Sequence, residues 1–89
     1  MKTRIDPHTA ARAIERGTDE GEIRDVIDTG IPISTRPGRL GKAKVYSFGH
    51  ERFGTMYPQK RVEVVYTMEQ DIAVTVTVYV FFGEWKDKP

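Results

Sequence analysis

The chain has 89 residues, of which 38% are apolar and 30% are charged, and it contains no cysteine. A chain of this length supplies one hydrophobic core, so we expect a single domain over residues 1–89. The composition excludes disulfides and thiolate chemistry, and with only two histidines we expect no metal site and no cofactor. No apolar run is long enough to span a membrane and residues 1–6 do not resemble a secretion signal, so we expect a cytoplasmic protein with no membrane partner.

The net charge of +1 hides an uneven distribution along the chain. Residues 17–35 carry one basic and five acidic side chains, whereas residues 36–61 carry seven basic side chains and the single acidic residue Glu51. A basic segment of this kind is typical of a surface that binds a polyanion, and it is equally typical of an exposed loop.

Two helices are predicted at the start of the chain. Asp6 followed by Pro7 is a helix start, and Gly17 is a typical end, which predicts a helix over about residues 7–16. Asp19 and Glu22 have the spacing of a capping box, which predicts a second helix over about residues 19–29. The apolar residues expected to face the core are Ile14, Ile23, Val26 and Ile27.

Strands are predicted over about residues 31–35, 43–48, 61–68 and 71–82, with a loop over residues 49–59. The last strand has the strongest alternation. We expect one of its faces to be core, namely Ile72, Val74, Val76, Val78, Val80 and Phe82. The other face is expected to carry Ala73, Thr75, Thr77, Tyr79 and Phe81.

These elements predict an α+β fold in which two helices pack on one face of a three- to four-stranded antiparallel sheet. The second face of that sheet carries hydroxyl groups, so we expect it to stay hydrated or to serve as a shallow binding surface. Thr77 and Tyr79 are therefore candidate substrate-binding residues, although the β-propensity of these residue types explains them equally well.

Two groups of residues are candidates for chemistry. His8, Arg12 and Arg16 stand at i, i+4 and i+8 on the first helix, where they form a basic stripe able to bind phosphates, or a solvated face. Lys60 and Glu63 lie near the start of the third predicted strand, where side chains are held rigidly or form a cross-strand ion pair.

The basic segment is interleaved with aromatic residues, a mixture that suits unstacked bases and phosphates of single-stranded nucleic acid. The candidate binding residues in or beside it are Arg39, Lys42, Lys44, Arg52, Tyr57 and Arg61. The alternative is that some of the aromatic rings of the basic segment are simply buried in the core.

Several short motifs occur together along the chain, namely His8, Arg12 and Arg16-Gly17, the acidic start of the second helix, and the later segments Tyr57-Pro58-Gln59-Lys60-Arg61-Val62-Glu63-Val64 and Thr75-Val76-Thr77-Val78-Tyr79. In these motifs the chain resembles the small stand-alone proteins of the domain-of-unknown-function family four-two-five-eight. The resemblance implies a relationship to the RelE-like and BrnT-like ribonuclease toxin folds, which agrees with the element order above.

If the resemblance extends to chemistry, it implies metal-independent RNA cleavage by attack of the ribose 2′-hydroxyl. His8 or Glu63 would then transfer the proton, and Arg12, Arg16 and Lys60 would stabilise the phosphorane. RNA and a cognate antitoxin are the partners that this hypothesis implies.

Two further functions are hypotheses. One is a non-catalytic nucleic-acid-binding module that uses residues 36–61. The other is a protein-interaction domain that pairs through a sheet edge or through Phe81, Phe82 and Trp85, and the chain is then a monomer or a homodimer.

Overall fold

The computed structural model describes residues 1–85, which form two helices and five strands. In chain order these are β1 (Lys2–Arg4), α1 (Pro7–Arg16), α2 (Glu20–Thr29), β2 (Ile31–Ile33), β3 (Leu40–Arg52), β4 (Thr55–Glu69) and β5 (Ile72–Gly83). The strands make one sheet in the order β1-β5-β4-β3-β2, in which β1 is parallel to β5 and the other neighbours are antiparallel.

The predicted α+β class, with two helices on one face of a sheet, is confirmed. The sheet has five strands rather than three or four, and it is mixed rather than antiparallel. The difference is β1, whose three residues are too few to give an alternating pattern in the sequence. Only Ile5 and Asp6 separate β1 from α1.

Both helices begin and end as their capping residues predict. The Asp6 carboxylate accepts a hydrogen bond from the His8 amide at 3.0 Å, and the Asp19 carboxylate accepts one from the Glu22 amide at 2.9 Å. Gly17 takes the left-handed conformation at φ 95° and ends α1.

The predicted loop over residues 49–59 is wrong, because this segment belongs to a long β3–β4 hairpin. Gly49, at φ 65°, lies where the β3–β4 register shifts, which is a bulge rather than a strand end. The two-residue turn is Phe53-Gly54, and both residues have positive φ, as a type I′ turn requires. The hairpin continues past the end of β5, which pairs with β4 only as far as Gln59.

The core lies between the helices and the sheet. The predicted burial of Ile23, Val26 and Ile27 is confirmed, and Ala13 joins them from α1. They pack against Val62, Val64, Tyr66, Ala73 and Val78. The predicted burial of Ile14 is wrong, because α1 buries the small side chains of Thr9 and Ala13 and leaves Ile14 76% exposed.

The predicted division of β5 into two faces is wrong over its first half. Tyr66 pairs with Thr75 whereas Val65 pairs with Thr77, so one extra residue interrupts the alternation. Ala73 and Thr75 are therefore buried beside the helices, and Val78 is the first even-numbered residue buried there. Downstream of this bulge the odd-numbered residues, from Thr77 onward, occupy the sheet face that the helices leave uncovered.

Candidate functional site

The side of α1 that carries Ile14 is not the buried side of the helix. The basic stripe of α1, which points away from Ile14, therefore lies beside the buried side and not opposite to it. His8 and Arg12 are exposed. Arg16 is half-buried, donates a hydrogen bond to the carbonyl oxygen of Val78, and lies 5.5 Å from the centre of the Tyr79 ring. Within the described chain, β1 covers only the first residues of β5, so Arg16 occupies part of the β5 edge that has no neighbouring strand.

Lys60 lies on the helix side of the sheet. Its ammonium group donates to the carbonyl oxygen of Gly17 at 2.9 Å and forms an ion pair with Glu22 at 2.7 Å. Its side chain is only 11% exposed. Lys60 therefore stabilises the C-terminus of α1, where a cation meets otherwise unpaired carbonyl groups.

Three further members of the basic segment also bind the helices. Lys42 donates to the carbonyl oxygen of Ile27 at 2.7 Å, and Arg52 donates to that of Glu15 at 3.0 Å. Lys44 forms an ion pair with Asp25 at 2.7 Å. The predicted binding residue Tyr57 packs on the ring of Phe82, 5.7 Å away.

Asp25 is the centre of a polar cluster that joins α2 to β3. It accepts hydrogen bonds from Lys44 and from the Tyr46 hydroxyl, the latter at 2.5 Å. These bonds lower the pKa of Asp25. Burial, together with the neighbouring Asp25, raises the pKa of Tyr46, so this hydroxyl remains a donor.

The predicted catalytic residues do not meet in one place. Lys60 pairs with Tyr46 and Phe82 across the sheet and faces the helices, whereas Glu63 pairs with Ala43 and Tyr79 and faces the uncovered side. A strand places successive side chains on opposite faces, so residues three apart cannot share a face without a bulge between them. His8 and Arg12 belong to α1, in the other layer.

The uncovered face carries a turn that holds two arginines together. Arg36, Pro37, Gly38 and Arg39 form a tight turn in which the Arg39 amide donates to the Arg36 carbonyl at 3.1 Å. Proline before a glycine at φ 83° is the pattern of a type II turn. Arg36 and Arg39 are exposed, and within the described part of the chain neither forms an ion pair.

Gly41 allows this turn to lie against the sheet. A Cβ atom at this position would stand 2.6 Å from a methyl carbon of Thr35 and 2.9 Å from a side-chain carbon of Ile33. The Thr35 hydroxyl in turn donates to the Arg39 carbonyl at 2.7 Å. The residues that lead into the turn therefore pack closely on the sheet, and hydrogen bonds hold the turn itself.

Between the turn and the sheet lies a pocket of about 290 Å³. It brings together three of the predicted site residues on the uncovered face with a fourth from the turn, namely Glu63, Thr77, Tyr79 and Arg39. Arg36, Ser34 and Thr35 add polar groups, and Ile33 and Val65 supply its apolar surface. A pocket with two cations, several hydroxyl groups and an exposed ring suits a ligand that is both anionic and planar.

Glu63 and Arg61 form an ion pair on this face. The Arg61 Nε donates to Glu63 Oε2 at 2.9 Å, and both side chains are about a quarter exposed, at 22% and 24%. A cross-strand ion pair is one of the two predictions for this position, whereas the observed pair is made within β4. Among residues 1–85, only Arg61 donates a hydrogen bond to Glu63, and it does so at one of the two carboxylate oxygens.

The sequence predicts no site role for Ser34, Thr35 or Ile33, and it places Arg36 in the basic segment without a site. The available signal was the sequence Arg-Pro-Gly-Arg, because a proline–glycine turn brings the residues on either side of it close together. That the turn folds over the sheet depends on Gly41 and could not be read from the turn itself.

Two other depressions fit an anionic ligand less well. One of about 460 Å³ lies between the helices, lined by Ala10, Ala11 and Ile14 with the acidic residues Asp19 and Glu20, and would repel a phosphate. The other, of about 310 Å³, has Lys44 as its cation, and that residue is paired with Asp25.

Within residues 1–85, no cluster of three His, Cys, Asp or Glu side chains has the arrangement of a metal site. None of the helices in the same part of the chain is long and apolar enough to cross a membrane.

Comparison of the chain with protein-family models, with curated proteins and with solved structures found no match. The resemblance to the domain-of-unknown-function family and to the ribonuclease toxins therefore stays a prediction from the sequence.

Proposed function

We propose that the uncovered face of the sheet binds single-stranded RNA, with one nucleotide seated in the pocket beside the arginine turn. The observation that supports this most directly is that Arg36 and Arg39, the first and last residues of one tight turn, line the same pocket as the exposed residue Tyr79. Guanidinium groups bind phosphate oxygens, and an exposed tyrosine ring stacks an unpaired base.

Glu63 supports RNA over DNA as the ligand. Arg61 donates to one of its carboxylate oxygens, so the other is available to accept a hydrogen bond from a ribose 2′-hydroxyl. The 2′-hydroxyl is the group by which a protein distinguishes the two nucleic acids. A hydrogen bond to a charged group contributes roughly 1.5–3 kcal/mol, so we expect DNA of the same sequence to bind roughly ten- to a hundredfold more weakly.

A ribonuclease at the same pocket is the second candidate, and the position of Glu63 among three arginines favours it. Glu63 would accept the proton of the 2′-hydroxyl, and the 2′-oxygen would attack the phosphorus and displace the 5′-oxygen, which water would protonate. Arg36, Arg39 and Arg61 would stabilise the phosphorane charge.

The test is a binding titration with fluorescently labelled octauridylate at low salt in EDTA, followed by anisotropy. We expect the double variant Arg36→Ala, Arg39→Ala to lose at least tenfold in affinity, and Arg12→Ala on the helix layer to bind as the unaltered protein does. Loss of binding in Arg12→Ala alone would move the site to α1, and no binding by the unaltered protein would refute the proposal.

The same samples on a gel test cleavage. Products that disappear in Glu63→Gln while affinity is retained would establish the ribonuclease. Intact RNA in a complex that binds tightly would leave a binding module.

A further inference from the structure

A row of aromatic side chains continues along the uncovered face beyond the pocket. Tyr79 and Phe81 alternate on β5 downstream of the bulge, and they are 44% and 48% exposed although they are large apolar groups. Tyr79 pairs across the sheet with Glu63, and Phe81 with Arg61. Cross-strand partners share a face, so both rings lie on the side of the ion pair.

Trp85 extends this row past the end of β5. The next residue on the same face is Gly83, which has no side chain, and the indole ring of Trp85 fills that space. Three atoms of the ring lie 3.5–3.9 Å from the position that a Cβ of Gly83 would take. The Trp85 amide also donates to the Gln59 side chain at 2.6 Å, which fixes the chain where it leaves β5.

The spacing of the row suits an extended strand of nucleic acid. Two residues of a β-strand advance by about 6.7 Å, which is close to the length of one nucleotide in an extended single strand. The row starts at the pocket that holds Arg36 and Arg39, and Arg61 lies beside its middle member. Sheets that carry outward aromatic side chains are known to stack two or three bases in this way.

From these observations we infer that Tyr79, Phe81 and Trp85 stack three consecutive unpaired bases, with the arginine turn holding the phosphates at the Tyr79 end. The inference rests on the proposed RNA function and specifies its ligand. The ligand is a flexible single strand of at least three nucleotides with no requirement for base sequence, because every base has a stacking face. A duplex is excluded, since its bases are already stacked on each other.

Trp85 is the single tryptophan of the chain, so its fluorescence reports on one end of the row alone. We expect octauridylate to quench this fluorescence and uridine monophosphate to bind in the pocket without quenching it. Phe81→Ala should lower the affinity for octauridylate by about tenfold, which corresponds to the stacking of one base, and leave the affinity for uridine monophosphate unchanged. Phe81→Leu keeps the bulk of the side chain but removes the ring, so it should lower the affinity for octauridylate by a similar factor.

Phe53→Ala is the matched control, because Phe53 is 91% exposed at the tip of the β3–β4 hairpin, outside the row. It should bind octauridylate as the unaltered protein does. Suppose that octauridylate binds tightly, does not quench the tryptophan and is unaffected by Phe81→Ala. That result would overturn base stacking on the aromatic row while leaving RNA binding in place. Absence of any RNA binding would overturn both, and a dimer with shielded Trp85 would identify the face as a protein interface.

Discussion

Most of the basic side chains in the described chain are bound to the protein itself. Lys42, Arg52 and Lys60 donate to main-chain carbonyl oxygens of α1, α2 or the residue that ends α1. Helix ends leave carbonyl groups without partners, and long cationic side chains from the sheet satisfy them. Most cations of the basic segment therefore hold the helix layer on the sheet. Fewer of them are available to a ligand than the charge of the segment suggests.

The Asp25 cluster predicts a pH dependence of stability. Lys44, the Tyr46 hydroxyl and Thr29 hold the pKa of Asp25 below its ordinary value of 3.8. Because the folded-state pKa is below the unfolded one, this stabilisation is complete above pH 3.8 and is lost as the pH falls through the lowered pKa. We expect Asp25→Asn to unfold at lower urea concentration than the unaltered protein at neutral pH.

The difference in urea midpoint between the Asp25→Asn variant and the unaltered protein should shrink as the pH falls below 3.8. Asp28→Asn on the same helix is the control, since Asp28 pairs only with the chain's amino group, at 3.4 Å, in the described structure. A difference for Asp25→Asn that stays constant with pH would show that its cause is packing and not charge.

The junction between α2 and β2 depends on Gly30. A Cβ at this position would lie 2.5 Å from the carbonyl oxygen of Val26 and 2.8 Å from that of Ala43, and neither main-chain atom can move independently of its element. We expect Gly30→Ala to lower the free energy of unfolding by roughly 1–3 kcal/mol, the usual effect of overpacking. Urea denaturation measures it.

Gly21→Ala on the same helix is the matched control. Its Cβ would meet nothing closer than the Asp19 carboxylate at 3.4 Å, and alanine is a better helix former by up to about 1 kcal/mol. The two substitutions should therefore have opposite signs. Equal effects of the two substitutions on the free energy of unfolding would mean that a shift of α2 relieves the close approach at Gly30.

The helices were predictable because their signals are local. Asp6, Gly17 and Asp19 act on groups within four residues, and the structure uses them as the sequence implies. The strand faces were less predictable, because the bulge before Thr77 depends on pairing with β4 and not on β5 alone. The prediction for Ile14 failed for a similar reason, since the side of α1 that packs on the sheet, which carries Thr9 and Ala13, is set by the tertiary fold and not by α1 alone.

The candidate site was predictable only in part. Glu63, Thr77 and Tyr79 were identified from their strand positions, and Arg39 from the basic segment. Their convergence in one pocket requires the Arg36–Arg39 turn to fold across the sheet, which depends on the missing side chain of Gly41. No spacing in the sequence encodes a contact of that kind.

At the scale of the whole molecule, charge is divided between the two sides of the sheet. The lysines at positions 42, 44 and 60 face the helix layer, where they meet main-chain carbonyl groups or the acidic residues Asp25 and Glu22 of α2. The uncovered face keeps the arginine turn and Arg61, and Arg61 is paired with Glu63. A ligand that binds there therefore meets few cations, although residues 36–61 carry seven.

This division predicts a weak salt dependence of RNA binding. Each phosphate neutralised on a single strand contributes about −0.7 to the slope of log affinity against log salt, so contacts from Arg36 and Arg39 alone give about −1.4. All seven cations of residues 36–61 would give about −5. Octauridylate titrations over a series of potassium chloride concentrations measure the slope, and Arg36→Ala should reduce its size by about 0.7. A slope near −5 would contradict the division of charge, because Lys42, Lys44 and Lys60 would then have to leave the helices to reach the RNA.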